Sequence, residues 1–179
     1  MSAIAESRHR VFFALWPSDE LREQIARRTE ELARAAGGRL IPASNLHVTL
    51  VFLGAVTLPT LTEIASAASK LRVSSFEIEF DHATVWPRSN VLVLGASHPP
   101  AVLQSLVEGL RISSLQAKAV LETEDYKPHI TLARDVQRPR RSLPEAPTIR
   151  WHAQEFVLVE SKSGPKGSIY SVIYRWALA

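Results

Sequence analysis

The chain carries nearly the same four-residue pattern twice, and this repetition constrains its fold more than any other feature. One stretch reads NLHVTLVFLG and contains His47 and Thr49, and the other reads YKPHITLAR and contains His129 and Thr131. Because side chains along a strand alternate between its two faces, each stretch presents an imidazole and a hydroxyl side by side. Two such strands that face each other would form a symmetric site for an anion with several oxygen atoms.

The apolar pattern around these motifs predicts a mixture of strands and helices. We expect strands at residues 10–16, 76–81, 91–95 and 117–121, helices between Ser18 and Gly37 and at residues 60–71 and 101–115, and a closing hairpin of residues 151–160 and 168–178. On the first motif strand, Leu46, Val48, Leu50 and Phe52 share one apolar face, which is expected to pack into the core. Hairpins mixed with crossovers predict an α+β fold with largely antiparallel pairing. A strand, a helix and a His-x-Thr strand occur in each half, so a pseudo-twofold arrangement would place both motifs in a central groove.

Length and composition limit the classes of protein that need to be considered. The 179 residues include no cysteine and carry a formal net charge of +3, a mild bias toward anionic partners. No apolar run is long enough to span a membrane, and the first ten residues lack the apolar core of a signal peptide. We therefore expect a single domain over residues 1–179 with two lobes, monomeric and cytoplasmic, with no membrane association.

Two histidines in matched positions indicate acid–base chemistry at phosphate. One imidazole can be neutral and accept a proton while the other is charged and donates one. Hydroxyl groups and an arginine would hold the oxygen atoms on which negative charge builds up. Arg134 ends the second motif strand, and strict alternation would require it to reach the pocket from the strand end. An arginine-rich loop follows, with Arg138, Arg140 and Arg141, and its alternative interpretation is a solvated loop.

A zinc site is the competing chemistry. It would need to recruit carboxylates such as Glu122, Glu124 or Asp125, because two histidines leave the metal short of ligands. The spacing His-x-Thr lacks the form of the common metal motifs, so we expect no metal and no cofactor. The chain also has no phosphate-binding loop of the type GxxxxGK[ST] and no GxSxG turn.

The paired motifs resemble the 2H phosphoesterase superfamily, and within it the RNA 2′,3′-cyclic phosphodiesterases that are also called 2′-5′ RNA ligases. The resemblance extends over RVFFALWP, NLHVTLVFLG, ATVWPRSNVLVLG, KPHITLAR and the closing hairpin. It implies a bilobal fold with a central cleft. It also implies metal-independent opening of a terminal 2′,3′-cyclic phosphate to a 2′-phosphate, and a reverse reaction that forms 2′-5′ linkages.

By this resemblance, His47 and His129 are the catalytic residues, and Thr49, Thr131 and Arg134 bind the phosphate. We assign His129 as the base for water and His47 as the acid. RNA ends or nucleotides with a 2′,3′-cyclic phosphate are the expected partners. A phosphodiesterase for small cyclic nucleotides or 2′-5′ oligoadenylates, and a non-catalytic RNA-binding module, are the alternatives.

Aromatic residues near the motifs allow two interpretations. Phe12 and Phe13 lie on opposite faces of the first strand, and Phe13 is considered as a surface on which a base could stack, with core packing as the alternative. Tyr126 precedes the second motif and is open to nucleotide contact or to loop packing. The four tryptophans, Trp16, Trp86, Trp151 and Trp176, are expected to serve as packing residues.

Overall fold

The computed structural model describes residues 7–121, 125–136, 143–165 and 167–179. Its elements are β1 (Arg8–Leu15), α1 (Asp19–Ala36), β2 (Arg39–Leu40), a 3₁₀ turn (Ala43–Asn45), β3 (Val48–Thr57), α2 (Leu58–Ala68), β4 (Phe76–Phe80), β5 (His82–Trp86), β6 (Val91–Gly95), α3 (Ala101–Gln116), β7 (His129–Arg134), β8 (Ile149–Ala153), β9 (Glu155–Gly164) and β10 (Gly167–Ala177). The predicted α+β class is confirmed. None of the helices in these ranges is long and apolar enough to cross a membrane.

Within the described residues, antiparallel pairing connects the strands into two four-stranded sheets and one two-stranded sheet. Sheet A has the order β10-β9-β1-β3, sheet B has the order β2-β7-β6-β5, and β4 pairs with β8. The motif strands β3 and β7 belong to different sheets but lie close to each other. The order β1-α1-β3 in one half corresponds to β6-α3-β7 in the other, so the two halves are pseudo-symmetric as predicted.

Local sequence signals set the limits of the first helix. The Ser18 hydroxyl accepts a hydrogen bond from the Leu21 amide at 3.2 Å and caps the N-terminus of α1. Gly37 adopts a φ of 63° at the other end, a backbone conformation that costs glycine little. The apolar stripe of α1, which includes Ile25 and Leu32, packs into the main core.

One large core cluster contains residues from both halves of the chain, among them Leu15, Ile64, Leu106 and Leu132. A smaller cluster lies on the other face of sheet A, where Phe12, Ala14, Val157 and Val159 are buried. Sheet A therefore separates the main core from a second apolar surface, and that surface forms part of the cleft described below.

Both motif strands carry an irregularity at the leucine that follows the threonine. In the pairing of β1 with β3, Ala14 lies opposite Thr49 and Phe13 opposite Val51, so Leu50 has no partner. In the pairing of β6 with β7, Val93 lies opposite Thr131 and Leu92 opposite Ala133, so Leu132 is passed over in the same way. An extra residue of this kind shifts the facing of the side chains that follow it.

Two predictions of strand structure are wrong. The expected strand at residues 117–121 is absent, because Lys118 takes a φ of 61° and the Ala119 amide donates to the Ser114 carbonyl in a helix-ending turn. The expected strand at residues 151–160 is interrupted at Gln154, which separates β8 from β9 so that β8 pairs with β4. Strand β5 was not anticipated from the sequence, and it occupies one edge of sheet B.

Candidate active site

A cleft of about 1070 Å³ opens between sheets A and B, and both His-Thr pairs line it. Sheet A contributes Arg10, Phe12, Thr49, Phe52, Ser161, Ser163, Ile169 and Tyr170, His47 lies immediately before β3, and sheet B contributes His129, Thr131, Arg134 and Arg39. Among the described residues that line the cleft, three are arginines and none is an aspartate or glutamate. The cleft is therefore suited to an anionic ligand.

The backbone fixes the ring of His47. Its Nδ1 donates a hydrogen bond to the carbonyl of Asn45 at 2.7 Å, which leaves Nε2 as the acceptor in the neutral ring. The Thr49 hydroxyl lies 3.1 Å from this Nε2. The two residues that the alternation of the strand predicted as neighbours are thus in hydrogen-bond contact.

His129 is held in the same way in the other half. Its Nδ1 donates to the carbonyl of Lys127 at 2.7 Å, again two residues earlier in the chain. Each imidazole therefore uses Nδ1 for its own orientation, and each has Nε2 for chemistry. Proton transfer requires this arrangement, because a catalytic nitrogen must be held within hydrogen-bond reach of the reacting oxygen.

Aromatic rings surround His47 on several sides. The centroids of Phe12, Trp16 and Tyr170 lie 5.0, 5.5 and 5.3 Å from its ring centroid, and Trp16 is stacked on it with an interplanar angle of 24°. On the opposite side of the site, Trp86 packs against His129 with a centroid distance of 4.4 Å. Trp16 and Trp86 were expected to be packing residues only, and Tyr170 was not expected at the site.

Burial keeps both imidazoles neutral near pH 7. It lowers the pKa of His47 from 6.5 to about 4, against the opposing effect of the Asn45 carbonyl, and the charges of His129, Arg134 and Arg22 lower this pKa further. Burial also lowers the pKa of His129, and Arg134 contributes in the same direction. A bound phosphate anion would act in the opposite sense, because a nearby negative charge favours the protonated ring.

The irregularity at Leu132 corrects the expectation for Arg134. Leu132 and Ala133 both lie in the main core, so the next residue, Arg134, returns to the cleft with Thr131. The assumption of strict alternation, which made Arg134 reach around the strand end, is therefore wrong.

The same correction applies to Phe52. It follows the core residues Leu50 and Val51, and it lines the cleft instead of the main core to which its sequence position assigned it. The guanidinium carbon of Arg10 lies 4.9 Å from the centroid of the Phe52 ring, in a cation–π contact.

Phe13 does not face the cleft, so the prediction that it could stack a base is wrong. It is fully buried in the main core, where its ring packs against Phe156 and Trp176 at centroid distances of 6.2 and 5.8 Å. Its neighbour Phe12 occupies the cleft side of β1. Tyr126 likewise packs against the main core with its hydroxyl buried, in agreement with the loop-packing interpretation.

The sequence contained a partial signal for the residues that were missed. Phe12 and Ala14 alternate along β1 and Trp16 continues this alternation just after the strand, so the assignment of any one of them to this face of sheet A predicts the others. Nothing in the sequence alone indicated that β10 would bring Tyr170 to the same surface, because that contact depends on the pairing of β10 with β9 and of β9 with β1.

The other charged candidates do not meet at this cleft. In the described parts of the chain, no three histidine, aspartate or glutamate side chains come together as a metal site would require. Asp125 is exposed, and Glu122, Glu124 and the loop arginines Arg138, Arg140 and Arg141 lie outside the described residues.

Comparison with known proteins agrees with this geometry. The family described as LigT like Phosphoesterase matches residues 15–93 and, a second time, residues 94–170, so each match contains one His-Thr pair. An RNA 2′,3′-cyclic phosphodiesterase of Escherichia coli is 32% identical over 169 residues, which are 94% of this chain and 96% of that protein. A protein of the same description from Thermus thermophilus is 27% identical over 94% of this chain and 90% of its own length.

Solved structures give the same result. The crystal structure of E. coli LigT complexed with 3′-AMP superimposes with a TM-score of 0.88 at 32% identity, covering 96% of this chain and 98% of that one. A structure from Thermus thermophilus superimposes with a TM-score of 0.72 at 26% identity, covering 94% and 97% of the two chains. From the repeated motifs, the shared cleft and these matches, the chain belongs to the LigT-like phosphoesterase family.

Proposed function

We propose that the protein is an RNA 2′,3′-cyclic phosphodiesterase that opens a terminal 2′,3′-cyclic phosphate to a 2′-phosphate without a metal ion. The observation that carries the proposal is the pair of imidazoles, each held through Nδ1, that line one cationic cleft with Thr49, Thr131 and Arg134. RNA ends with a cyclic phosphate are the proposed substrates. The names of the similar proteins support this substrate class.

The reaction divides between the two histidines. A water oxygen forms a bond to phosphorus while the bond from phosphorus to O3′ breaks. Nε2 of His129 takes the proton of the water, and Nε2 of His47 gives a proton to O3′. Arg134 and the two threonine hydroxyls stabilise the non-bridging oxygens as charge develops on them. When a ribose hydroxyl attacks phosphorus in place of water, the bond from phosphorus to O3′ again breaks and the product has a 2′-5′ linkage.

The ring that acts as the acid takes up its proton from solvent when the substrate binds. Both imidazoles are neutral in the ligand-free cleft near pH 7, because burial lowers the pKa of each. The negative charge of the cyclic phosphate raises these values and allows one ring to become the acid.

The reaction is tested with an oligonucleotide that ends in a 2′,3′-cyclic phosphate, assayed in EDTA with analysis of the product. The proposal expects a 2′-phosphate product at an undiminished rate. Loss of activity on chelation, or a 3′-phosphate product, would contradict it. Intact substrate together with tight RNA binding would favour the non-catalytic module.

A substrate with a good leaving group distinguishes the histidine that acts as the acid from the one that acts as the base. A p-nitrophenyl phosphodiester needs little protonation of its leaving group, so His47→Ala should lose much less activity on it than on the cyclic phosphate. His129→Ala should lose activity equally on both. The reverse pattern would exchange the two roles.

The length of the substrate distinguishes the proposal from its enzymatic alternative. Mononucleoside 2′,3′-cyclic phosphates lack the upstream RNA, so a higher kcat/KM for the oligonucleotide supports an RNA-end enzyme. A preference for the mononucleotide or for 2′-5′ oligoadenylates would favour the small-nucleotide phosphodiesterase.

The proposal includes a monomer in the cytoplasm, in keeping with the lack of cysteine in the chain.

A further inference from the structure

We propose that Arg22, a residue of α1 outside the cleft lining, is a positioning residue that fixes the ring of His47 through Trp16 and through the backbone at Ser44. The kinetic part of this inference rests on the proposed function. The structural part concerns the orientation and protonation of His47 and can be measured without turnover.

The first connection is a three-layer stack. The guanidinium carbon of Arg22 lies 5.1 Å from the centroid of the Trp16 ring, and Trp16 is itself stacked on His47 at 5.5 Å. A cation over an indole is attracted by the negative face of the ring, and a guanidinium also packs flat against it. Arg22 therefore holds Trp16 in the plane that supports the imidazole.

The second connection runs through the backbone. Nη1 of Arg22 donates to the carbonyl of Ser44 at 3.0 Å, and the next carbonyl along the chain, that of Asn45, accepts the hydrogen bond from Nδ1 of His47 at 2.7 Å. Arg22 thus holds the turn that orients His47.

The guanidinium is itself held in place. Its Nη2 is paired with Asp19, one turn earlier on α1. The Arg22 side chain is only 11% exposed, whereas Asp19 is 92% exposed. A largely covered arginine with fixed contacts at two nitrogens differs from a solvated surface charge, which has little influence on its neighbours.

The charge of Arg22 acts on His47 in the same direction as its other cationic neighbours. Arg134 and Arg22 each disfavour the protonated ring, and so does His129 when it is itself protonated. The groups in direct contact with the imidazole, which are Phe12, Trp16, Tyr170 and Thr49, carry no charge at neutral pH.

Among the described residues, no cation–ring contact with Trp86 corresponds to that of Arg22 with Trp16. Trp86 contacts His129, but in the part of the chain that the structure describes, the cation–ring contacts are those of Arg10 with Phe52 and of Arg22 with Trp16. Both imidazoles donate a hydrogen bond from Nδ1 to a backbone carbonyl, but the groups packed against the two rings differ. Arg22 therefore positions His47 and not His129.

The test compares Arg22→Met and Arg22→Lys with the control Arg27→Met. Arg27 lies on the same helix, is 70% exposed and pairs with Glu23 at 3.8 Å. Arg22→Met should lower kcat about 10- to 100-fold, because small displacements of a catalytic group have effects of this size, and should change KM less than about threefold. It should also raise the pKa of His47 in a histidine NMR titration. Arg27→Met should leave all three quantities unchanged.

The variant Arg22→Lys distinguishes the effect of the positive charge from the effect of the guanidinium geometry. It should keep the pKa of His47 low but recover only part of kcat, because an ammonium group cannot both lie flat on the indole and donate to the Ser44 carbonyl. If Arg22→Met does not fold, Arg22→Lys carries the kinetic test.

An Arg22→Met enzyme with unchanged kcat and an unchanged pKa of His47 would overturn the inference, and so would a loss confined to KM. If the wild-type protein opens no cyclic phosphate, the proposed function fails. The titration then still decides whether Arg22 acts on His47.

Discussion

At the level of single residues, the same local hydrogen bond orients both catalytic candidates. Each imidazole donates Nδ1 to the carbonyl two residues earlier, at the entrance to its strand. The His-Thr pairs were predictable because strand alternation alone makes residues i and i+2 neighbours. The position of Tyr170 was not predictable, because it reaches the site through the pairing of β10 with β9 and of β9 with β1.

Burial of His47 as a neutral ring predicts a stability that depends on pH. The pKa of this ring is about 4 in the folded protein and near 6.5 in the unfolded chain, so the unfolded state binds more protons between these values. Stability should therefore fall as the pH is lowered through this window, by up to about 3 kcal/mol from this one group. Urea unfolding at pH 7 and at pH 4.5 measures the change.

The variant His47→Gln serves as the control for that measurement, because it removes the titrating ring and keeps a hydrogen-bonding side chain. Its stability should decrease less than that of the wild type over the same pH interval. Asp81 and Glu160, whose pKa values are lowered by bonds to His82 and His9, lose stabilising interactions on acidification in both proteins. An equal decrease in the two proteins would contradict a neutral, buried His47.

At the level of elements, an extra residue directly after the threonine of each motif strand determines which side chains reach the cleft. Leu50 and Leu132 interrupt the pairing at equivalent positions, and the residues two places later, Phe52 and Arg134, turn toward the ligand. Bulges near active sites commonly redirect a side chain in this way. Sequence alternation could not reveal this, because it assumes an unbroken period of two.

Moving the arginine by one position tests the irregularity in β7. Arg134→Ala alone should lower kcat/KM about 100-fold through loss of the phosphate contact, with little effect on stability because the side chain is exposed. Adding Ala133→Arg places the charge where strict alternation would face the cleft. Ala133 is 0% exposed, so the double variant should lose on the order of 3 kcal/mol or more and recover no activity. Recovered activity in the double variant would show that β7 is regular.

On the scale of the whole molecule, two similar halves contribute one His-Thr pair each to a shared cleft. The internal repeat was predictable from the order of strand, helix and motif strand. On sheet A, Phe12 faces the cleft and Phe13 faces the main core. The sequence could not predict which residue faces which side, because both faces of β1 are apolar. We propose that the halves fold as one domain, since the large core cluster includes buried residues of both.

A single cooperative transition is the expected result of that organisation. Far-UV circular dichroism and tryptophan fluorescence should give coincident urea unfolding curves, because the halves share a core and cannot unfold separately. Light scattering at the same protein concentration should give the mass of one chain, 19.9 kDa. Two separate transitions would show that each half is a domain of its own.

The claim that the two His-Thr pairs are halves of one site is tested most directly by a double-mutant cycle on cyclic-phosphate opening. His47→Ala and His129→Ala should each lower kcat at least about 10²-fold, since general acid–base catalysis is typically worth 10²–10⁴ per group. Because the two groups act in a single step, the double variant should be nearly as active as either single variant. If the losses multiply in the double variant, or if one single variant keeps wild-type activity, the two pairs do not form one catalytic unit.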